Sequence, residues 1–336
     1  MKAIGFKQSL NITEQDSFVS FETDVPQPSG RDILVKVKAI SVNPVDYKIR
    51  QGSAKDVTLD QPKIIGWDAA GTVEAVGEEV SAFKIGDEVY YAGDLKRSGC
   101  NAEYQLVDER IVGKKPSSLS YEAAAAMPLT TLTAWEMLFE RFAITGKDKG
   151  KSILIIGGAG GVGSIATQLA KNVAGLVVIS TASRPETADW CRSQGADHVV
   201  NHKDLINEVR NAGFQYVDFI MDCVNLNFYW DAFAELIKPQ GKIGSISDPK
   251  QPVNLVQLKS KSVSFHWELM FTRSSFQTED MVSQSNILNS AAELFDQQSL
   301  KSTLNNTLQG FSVANLKEAH QLLESGKAIG KTVIMF

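Results

Sequence analysis

Along the first 120 residues, apolar and polar positions alternate in short runs broken by glycine and proline. The runs "DILVKVKAISV" (Asp32 to Val42), "GTVEAVG" (Gly71 to Gly77) and "EYQLVD" (Glu103 to Asp108) put alternate residues on one face. A period of two is a strand signature, and the spacing predicts a β-rich, barrel-like domain. The N-terminal "MKAIGFKQSL" alternates in the same way. It lacks the continuous apolar core of a signal peptide.

From Ser120 the pattern changes. "SYEAAAAMPLTTLTAWEMLFERF" is rich in Ala, Leu and Met and predicts helices interrupted by Pro128. Next, "KSILIIGGAGGVGSIATQLAKNVAGLVVISTAS" predicts a buried strand, a glycine turn, a helix and a second buried strand. Two more apolar runs follow, "VDFIMDCV" (Val217 to Val224) and "GKIGSIS" (Gly241 to Ser247). The segments "PETADWCRSQGA" and "FYWDAFAELIKPQG" supply helices between strands. Strand and helix in alternation predict a parallel sheet covered on both faces. From about Glu268 mixed helices follow, and the chain closes on a strand, "KTVIMF". The expected fold is α/β, a β-rich domain joined to a doubly wound parallel-sheet domain.

Composition narrows the function. The chain has 336 residues, 43% hydrophobic and 22% charged, with a net charge of −5. An acidic surface argues against nucleic acid or an anionic membrane as partner, since either calls for a basic face. No apolar run reaches the roughly 20 residues that span a bilayer. Three scattered cysteines, Cys100, Cys191 and Cys223, form no disulfide framework. A cytoplasmic location is the expectation.

The glycine turn carries the first chemistry. Gly158, Gly160 and Gly163 fit G-x-G-x-x-G, with Ala159, Gly161 and Val162 between them. The apolar run Ile153 to Ile156 precedes the turn and "SIATQLAK" follows it. In that context backbone amides and a helix N-terminus hold a pyrophosphate. About 20 residues further on, an acid would accept from the ribose 2′-hydroxyl of NAD. Here Ser183 and Arg184 hold the place, and no acid follows until Glu186. A hydroxyl and a cation suit a 2′-phosphate. NADPH is the expected cofactor; the alternative is that Arg184 caps a surface turn.

In order, "VNPVDYKIRQG" (Val42 to Gly52), "GWDAAGTVEAVG" (Gly66 to Gly77), "FKIGDEVY" (Phe83 to Tyr90), "AEYQLV", "AAAAMPLTTLTAW", "GGAGGVG" and "GKAIGKTVI" span the chain. This series resembles the medium-chain dehydrogenase/reductase family. The resemblance implies a GroES-like catalytic domain, expected at residues 1–123 and 268–336, and a Rossmann domain at 124–267. It also implies a cofactor in the cleft between them and a homodimer.

The family has zinc alcohol dehydrogenases and zinc-free quinone or enone reductases. In the zinc branch a Cys takes the place of Asn43, a His-Glu pair that of Trp67-Asp68, and a Cys falls near Leu129. An amide, an indole and an isobutyl group cannot hold the ion, which needs three ligands of Cys, His or carboxylate type. The structural-zinc lobe of the zinc branch needs four close cysteines, whereas "GDLKRSGCNAEY" has only Cys100. His198, His202, His266 and His320 show no zinc spacing. No metal ligand set is expected.

Without zinc, alcohol oxidation loses its means of acidifying the hydroxyl. Hydride addition to a quinone or an α,β-unsaturated carbonyl asks only for hydrogen-bond donors at the acceptor oxygen and a proton source. The catalytic candidates lie in "NPVDYK". Asn43 is positioned to polarise a carbonyl, with a turn-forming Asn before Pro44 as the alternative. Tyr47 is a proton donor or a packed aromatic. Lys48 stands where the zinc branch often has a relay His and is a cofactor contact or a solvated lysine. The resemblance further implies cofactor contacts at Thr133, His202, Ser245, Ile246 and Lys331. Trp67 fills space that a metal ligand takes in relatives; it faces the core, as large aromatics usually do, or the substrate. "FHWELMF" (Phe265 to Phe271) is aromatic enough to line a nicotinamide pocket or a subunit interface. Two other functions stay open: an alcohol dehydrogenase with atypical metal use, and a non-catalytic NADPH-binding sensor or scaffold.

Overall fold

A computed structural model describes all residues from Met1 to Phe336. The chain divides into two units, Met1–Leu129 with Phe271–Phe336, and Thr130–Met270. The breaks fall a few residues later than the sequence suggested. The helix Tyr121–Ala125 packs on first-unit strands, and the Leu129 N–H donates to Asp68, which keeps this stretch in the first unit.

The first unit opens with β1 (Lys2–Phe6), β2 (Val19–Glu22), β3 (Asp32–Ser41), β4 (Lys63–Ile64), β5 (Ala69–Val76), β6 (Glu88–Tyr91), β7 (Tyr104–Asp108) and β8 (Val112–Lys114). β2, β1 and β4 form one small antiparallel sheet. β3, the longest strand, pairs antiparallel with both β5 and β7. Its apolar residues Ile33, Val35 and Val37 are buried, as its alternation predicts.

The second unit holds β9 (Ser152–Ile156), β10 (Val177–Thr181), β11 (His198–Val200), β12 (Val217–Asp222), β13 (Ile237–Ser245) and β14 (Ser264–Trp267). All neighbours are parallel, in the order β11-β10-β9-β12-β13-β14. Counted from β9, that is the 3-2-1-4-5-6 order of the Rossmann fold. β9 is buried at all five positions, as a central parallel strand must be. Pro128 opens the helix Pro128–Trp135 rather than breaking one, since the first helical turn tolerates its missing N–H.

The chain then returns to the first unit with β15 (Leu304–Gln309) and β16 (Lys331–Met335). β16 lies between β15 and β3, parallel to one and antiparallel to the other. No helix is long and apolar enough to cross a membrane.

Candidate active site

In the first unit, three strand ends meet at one place. β3 ends at Ser41, β5 begins at Ala69 and β16 begins at Lys331. Because β3 runs antiparallel to both neighbours, its end meets their beginnings; Ser41 N–H donates to Asp68 O, and Val42 N–H to Thr332 O. This convergence brings Asn43, Asp68 and Lys331 together from distant parts of the chain.

All three are buried. Asn43 Nδ2 donates to Asp68 Oδ2 at 2.8 Å and to the Trp67 carbonyl at 3.2 Å. Lys331 Nζ donates to Asp68 Oδ2 at 2.9 Å, to Val42 O at 3.0 Å and to Asn43 Oδ1. The Leu129 N–H donates to Asp68 Oδ1 at 2.8 Å. Burial raises the Asp68 carboxyl above the usual range, while Lys331, Asn43 and Leu129 pull it back.

Asn43 also starts the helix Pro44–Gly52, with proline at its first turn. The buried Asp46 accepts from the Asn43 N–H at 2.6 Å. Burial pushes the Asp46 carboxyl up to about 7, and the Asp68 charge adds a smaller push against Asn43 and Lys331. Tyr47 is half-buried on this helix and Lys48 exposed.

Two expectations are revised by this geometry. Both hydrogens of the Asn43 amide are engaged inside the unit, on Asp68 and on the Trp67 carbonyl, so Asn43 braces the site and has no amide N–H left for an acceptor carbonyl in this arrangement. Lys331, expected at the cofactor, has three N–H donors and three partners, all in the first unit. Trp67 faces the core, 1% exposed, with its indole N–H on Asp94 O at 3.1 Å and its ring edge-on to Phe271.

In the second unit, the remaining expected cofactor residues other than Thr133 gather at the C-terminal ends of the parallel strands. β9 leads into the glycine turn, and the helix Gly161–Gln168 starts from Gly160. Gly163 must lack a side chain, because a Cβ there would lie 2.2 Å from Gly157 O; at Gly158 it would lie 2.7 Å from Ser180 Cβ. At Gly160 the nearest atom would be 3.4 Å away. The turn is thus tight toward the protein at two glycines and roomier at the third, which suits close approach of a phosphate. Thr181 Oγ1 accepts from the Gly157 N–H at 2.9 Å and fixes the start of the turn.

Ser183 and Arg184 follow β10, and His202 follows β11; Ala182 N–H donates to Val200 O, so these ends lie side by side. Ser183 is exposed. Arg184 Nε lies 2.7 Å from Glu186 Oε1. His202 Nδ1 is 3.1 Å from the Tyr229 hydroxyl. Ser245 closes β13 and Ile246 follows it. The Ser245 hydroxyl donates to Asp222 Oδ2 at 2.7 Å, and the Ile246 N–H donates to Asp222 O. Thr133 is buried on the helix Pro128–Trp135.

Sequence reasoning missed Asp222, whereas Asp46, expected to hold the loop rather than act as a base, accepts from the Asn43 N–H. Asp222 accepts from two backbone N–H groups and from Ser245 and Ser247, bracing the ends of β12 and β13. Its signal was an acid closing the apolar run "FIM". "FHWELMF" contributes β14, then Glu268, whose buried carboxylate meets Arg141 Nε at 2.7 Å.

Comparison with known proteins agrees with this layout. Residues 29–117 match the alcohol dehydrogenase GroES-like domain, and residues 194–334 match the zinc-binding dehydrogenase family. A zinc-type alcohol dehydrogenase-like protein of Staphylococcus epidermidis is 45% identical over 338 residues, 99% of each chain. The NADPH-dependent alkenal/one oxidoreductase of Arabidopsis thaliana is 35% identical over 235 residues, 68% of this chain and 58% of its own. A crystal structure from Rhizobium etli CFN 42, assigned as a zinc-dependent alcohol dehydrogenase protein, has a TM-score of 0.95 at 47% identity. It covers 100% of this chain and 98% of its own.

The zinc in these names does not fit the residues present. No group of three or more His, Cys, Asp or Glu side chains could hold a metal ion. Around Asp68 stand an amide, a main-chain N–H and an ammonium; donors and a positive charge face the carboxylate where an ion would need ligands. The glycine turn and its neighbouring strand ends, in contrast, suit a dinucleotide. Matched in both halves and along its whole length, the chain is an oxidoreductase of the medium-chain dehydrogenase/reductase family.

Proposed function

We propose that the protein is a metal-independent, NADPH-dependent reductase that delivers hydride to an α,β-unsaturated carbonyl or a quinone. The observation that carries this reading is the Asp68 environment. Its two carboxylate oxygens are taken up by Asn43, Leu129 and Lys331, so the site presents donors and a lysine charge rather than ligands for a metal that would acidify an alcohol. An NADPH-dependent alkenal/one oxidoreductase among the relatives supports the cofactor and the acceptor class.

When bound, NADPH supplies the hydride; this chain's residues hold and orient. Gly158, Gly160, Gly161, Val162 and Gly163 receive the pyrophosphate through backbone amides. Ser183 and Arg184 take the 2′-phosphate, with His202 beside them at the next strand end. The Ser245–Ile246 backbone borders the dinucleotide, because the Ser245 hydroxyl is held by Asp222. Thr133 meets the nicotinamide end. Tyr47 donates a hydrogen bond to the acceptor oxygen and returns the proton. Lys48 meets the cofactor ribose or phosphate. A homodimer in the cytoplasm is the working state.

The test is an NADPH-oxidation screen over simple enones, 1,4-benzoquinone and 9,10-phenanthrenequinone, with NADH as control. Turnover with NADPH on at least one class is expected. Stoichiometric NADPH binding without turnover on any acceptor would favour a sensor or scaffold instead.

A further inference from the structure

Lys331 is the one full positive charge bonded to the buried Asn43–Asp68 cluster. Its ammonium has three hydrogens, and three oxygens receive them: Val42 O, Asn43 Oδ1 and Asp68 Oδ2. Lysine offers donors only and an ionised carboxylate acceptors only. The amide between them can therefore satisfy both in one orientation alone, oxygen to Lys331 and NH2 to Asp68. Flipped, it would set NH2 against ammonium and oxygen against carboxylate.

We propose that Lys331 is the resident cation of this site and a positioning residue for the reduction, a reading that rests on the proposed reductase function. The residues at the positions where zinc-branch relatives bear ligands, Asn43, Trp67 and Leu129, converge on Asp68, and the charge beside that carboxylate is a lysine ammonium anchored on β16. Through Val42 O and Asn43 Oδ1 the ammonium ties the last strand to the residue that starts the helix Pro44–Gly52. That helix carries Tyr47 and Lys48. Lys331 touches neither cofactor nor acceptor; it fixes the helix start, and with it the Tyr47 hydroxyl.

The proposal is tested on the full-length protein with Lys331→Met, and with Lys331→Met/Asp68→Asn, which removes both members of the buried ion pair together. In both, kcat on the best acceptor falls by about 10- to 100-fold, the cost of a displaced reacting group. The NADPH dissociation constant, read by nucleotide fluorescence, stays within about twofold of the parent protein, because no Lys331 donor is left for a phosphate. Hydrogen exchange of residues 42–52 speeds up in the single variant, since those amides lose their anchor. The double variant recovers thermal stability but not kcat. A kcat per folded molecule equal to the parent's would overturn the positioning role, as would weakened NADPH binding at unchanged kcat. Unchanged protection of residues 42–52 would overturn the anchor itself. If the parent reduces no acceptor, the reductase reading fails, and the exchange measurement alone decides whether Lys331 anchors the helix.

Discussion

The Leu129 backbone N–H meets Asp68 Oδ1 at 2.8 Å. A residue near which the zinc branch carries a thiolate thus reaches the carboxylate through its main chain, and its isobutyl group offers no lone pair. The other oxygen, Oδ2, takes Asn43 and Lys331. Asp68 is the hub of an internal hydrogen-bond network.

Removing that hub should be costly. Asp68→Ala leaves the buried Lys331 ammonium without its counter-ion, and loss of one partner of a buried pair costs about 3–5 kcal/mol. Urea unfolding should show a loss of that order, and added zinc should not restore it.

Gly163 is the most constrained residue of the glycine turn. A methyl group there would sit 2.2 Å from Gly157 O, so the helix must move off the strand. Gly163→Ala is expected to lower stability by about 1–3 kcal/mol and to weaken NADPH binding at least tenfold, read by nucleotide fluorescence. Gly146→Ala, where a Cβ meets nothing within 4 Å, is the control that leaves binding unchanged.

Arg184 is the cation we propose for the 2′-phosphate, and it pairs with Glu186. Arg184→Ala should raise the KM for NADPH about tenfold or more, the value of one charge-assisted hydrogen bond. The KM for NADH should barely move. Glu186→Gln, which removes the opposing carboxylate, should shift preference the other way. Equal effects on both cofactors would mean that Arg184 only caps the helix Pro185–Ser193.

His320 is buried with neither ring nitrogen hydrogen-bonded, edge-on to Phe18. Burial, helped by the nearby Arg50 charge, pushes its pKa down to about 3. Between about pH 3 and 6.5 the unfolded chain holds a proton here that the folded chain refuses, so this residue costs stability as pH falls. Asp46, pushed up to about 7, works in reverse: the folded chain keeps its proton longer, and stability falls as pH rises from about 4 to 7. His320→Phe should therefore gain on the parent protein by roughly 1 kcal/mol per pH unit as pH drops below 6.5. Asp46→Asn should gain on it as pH rises toward 7. Urea titrations between pH 4.5 and 8 measure both.

Local signals carried much of this protein. The alternation in "DILVKVKAISV" became β3, the buried run Ile153 to Ile156 became β9, and the glycine turn stands between strand and helix. The internal use of Lys331 left no such trace. Its partners lie 263 and 288 residues away in sequence, and only the pairing of β3 with both β16 and β5 sets them side by side. A lysine in "IGKTVI" reads the same whether it faces a phosphate or a buried carboxylate. Asn43 is legible as a residue of interest, but whether its amide faces an acceptor or braces the turn before Pro44 is not, because sequence shows the group and not its neighbours. That Asp46 holds the loop is legible in "NPVD", but its burial appears only once the helix Pro44–Gly52 is packed.

The most direct measurement is steady-state NADPH oxidation by protein purified without added metal, with zinc counted on the same sample by atomic spectroscopy. Turnover of an enone or quinone that survives chelation is expected, at far less than one zinc per chain, with NADPH well preferred over NADH. Stoichiometric zinc together with alcohol oxidation that stops on chelation would contradict it.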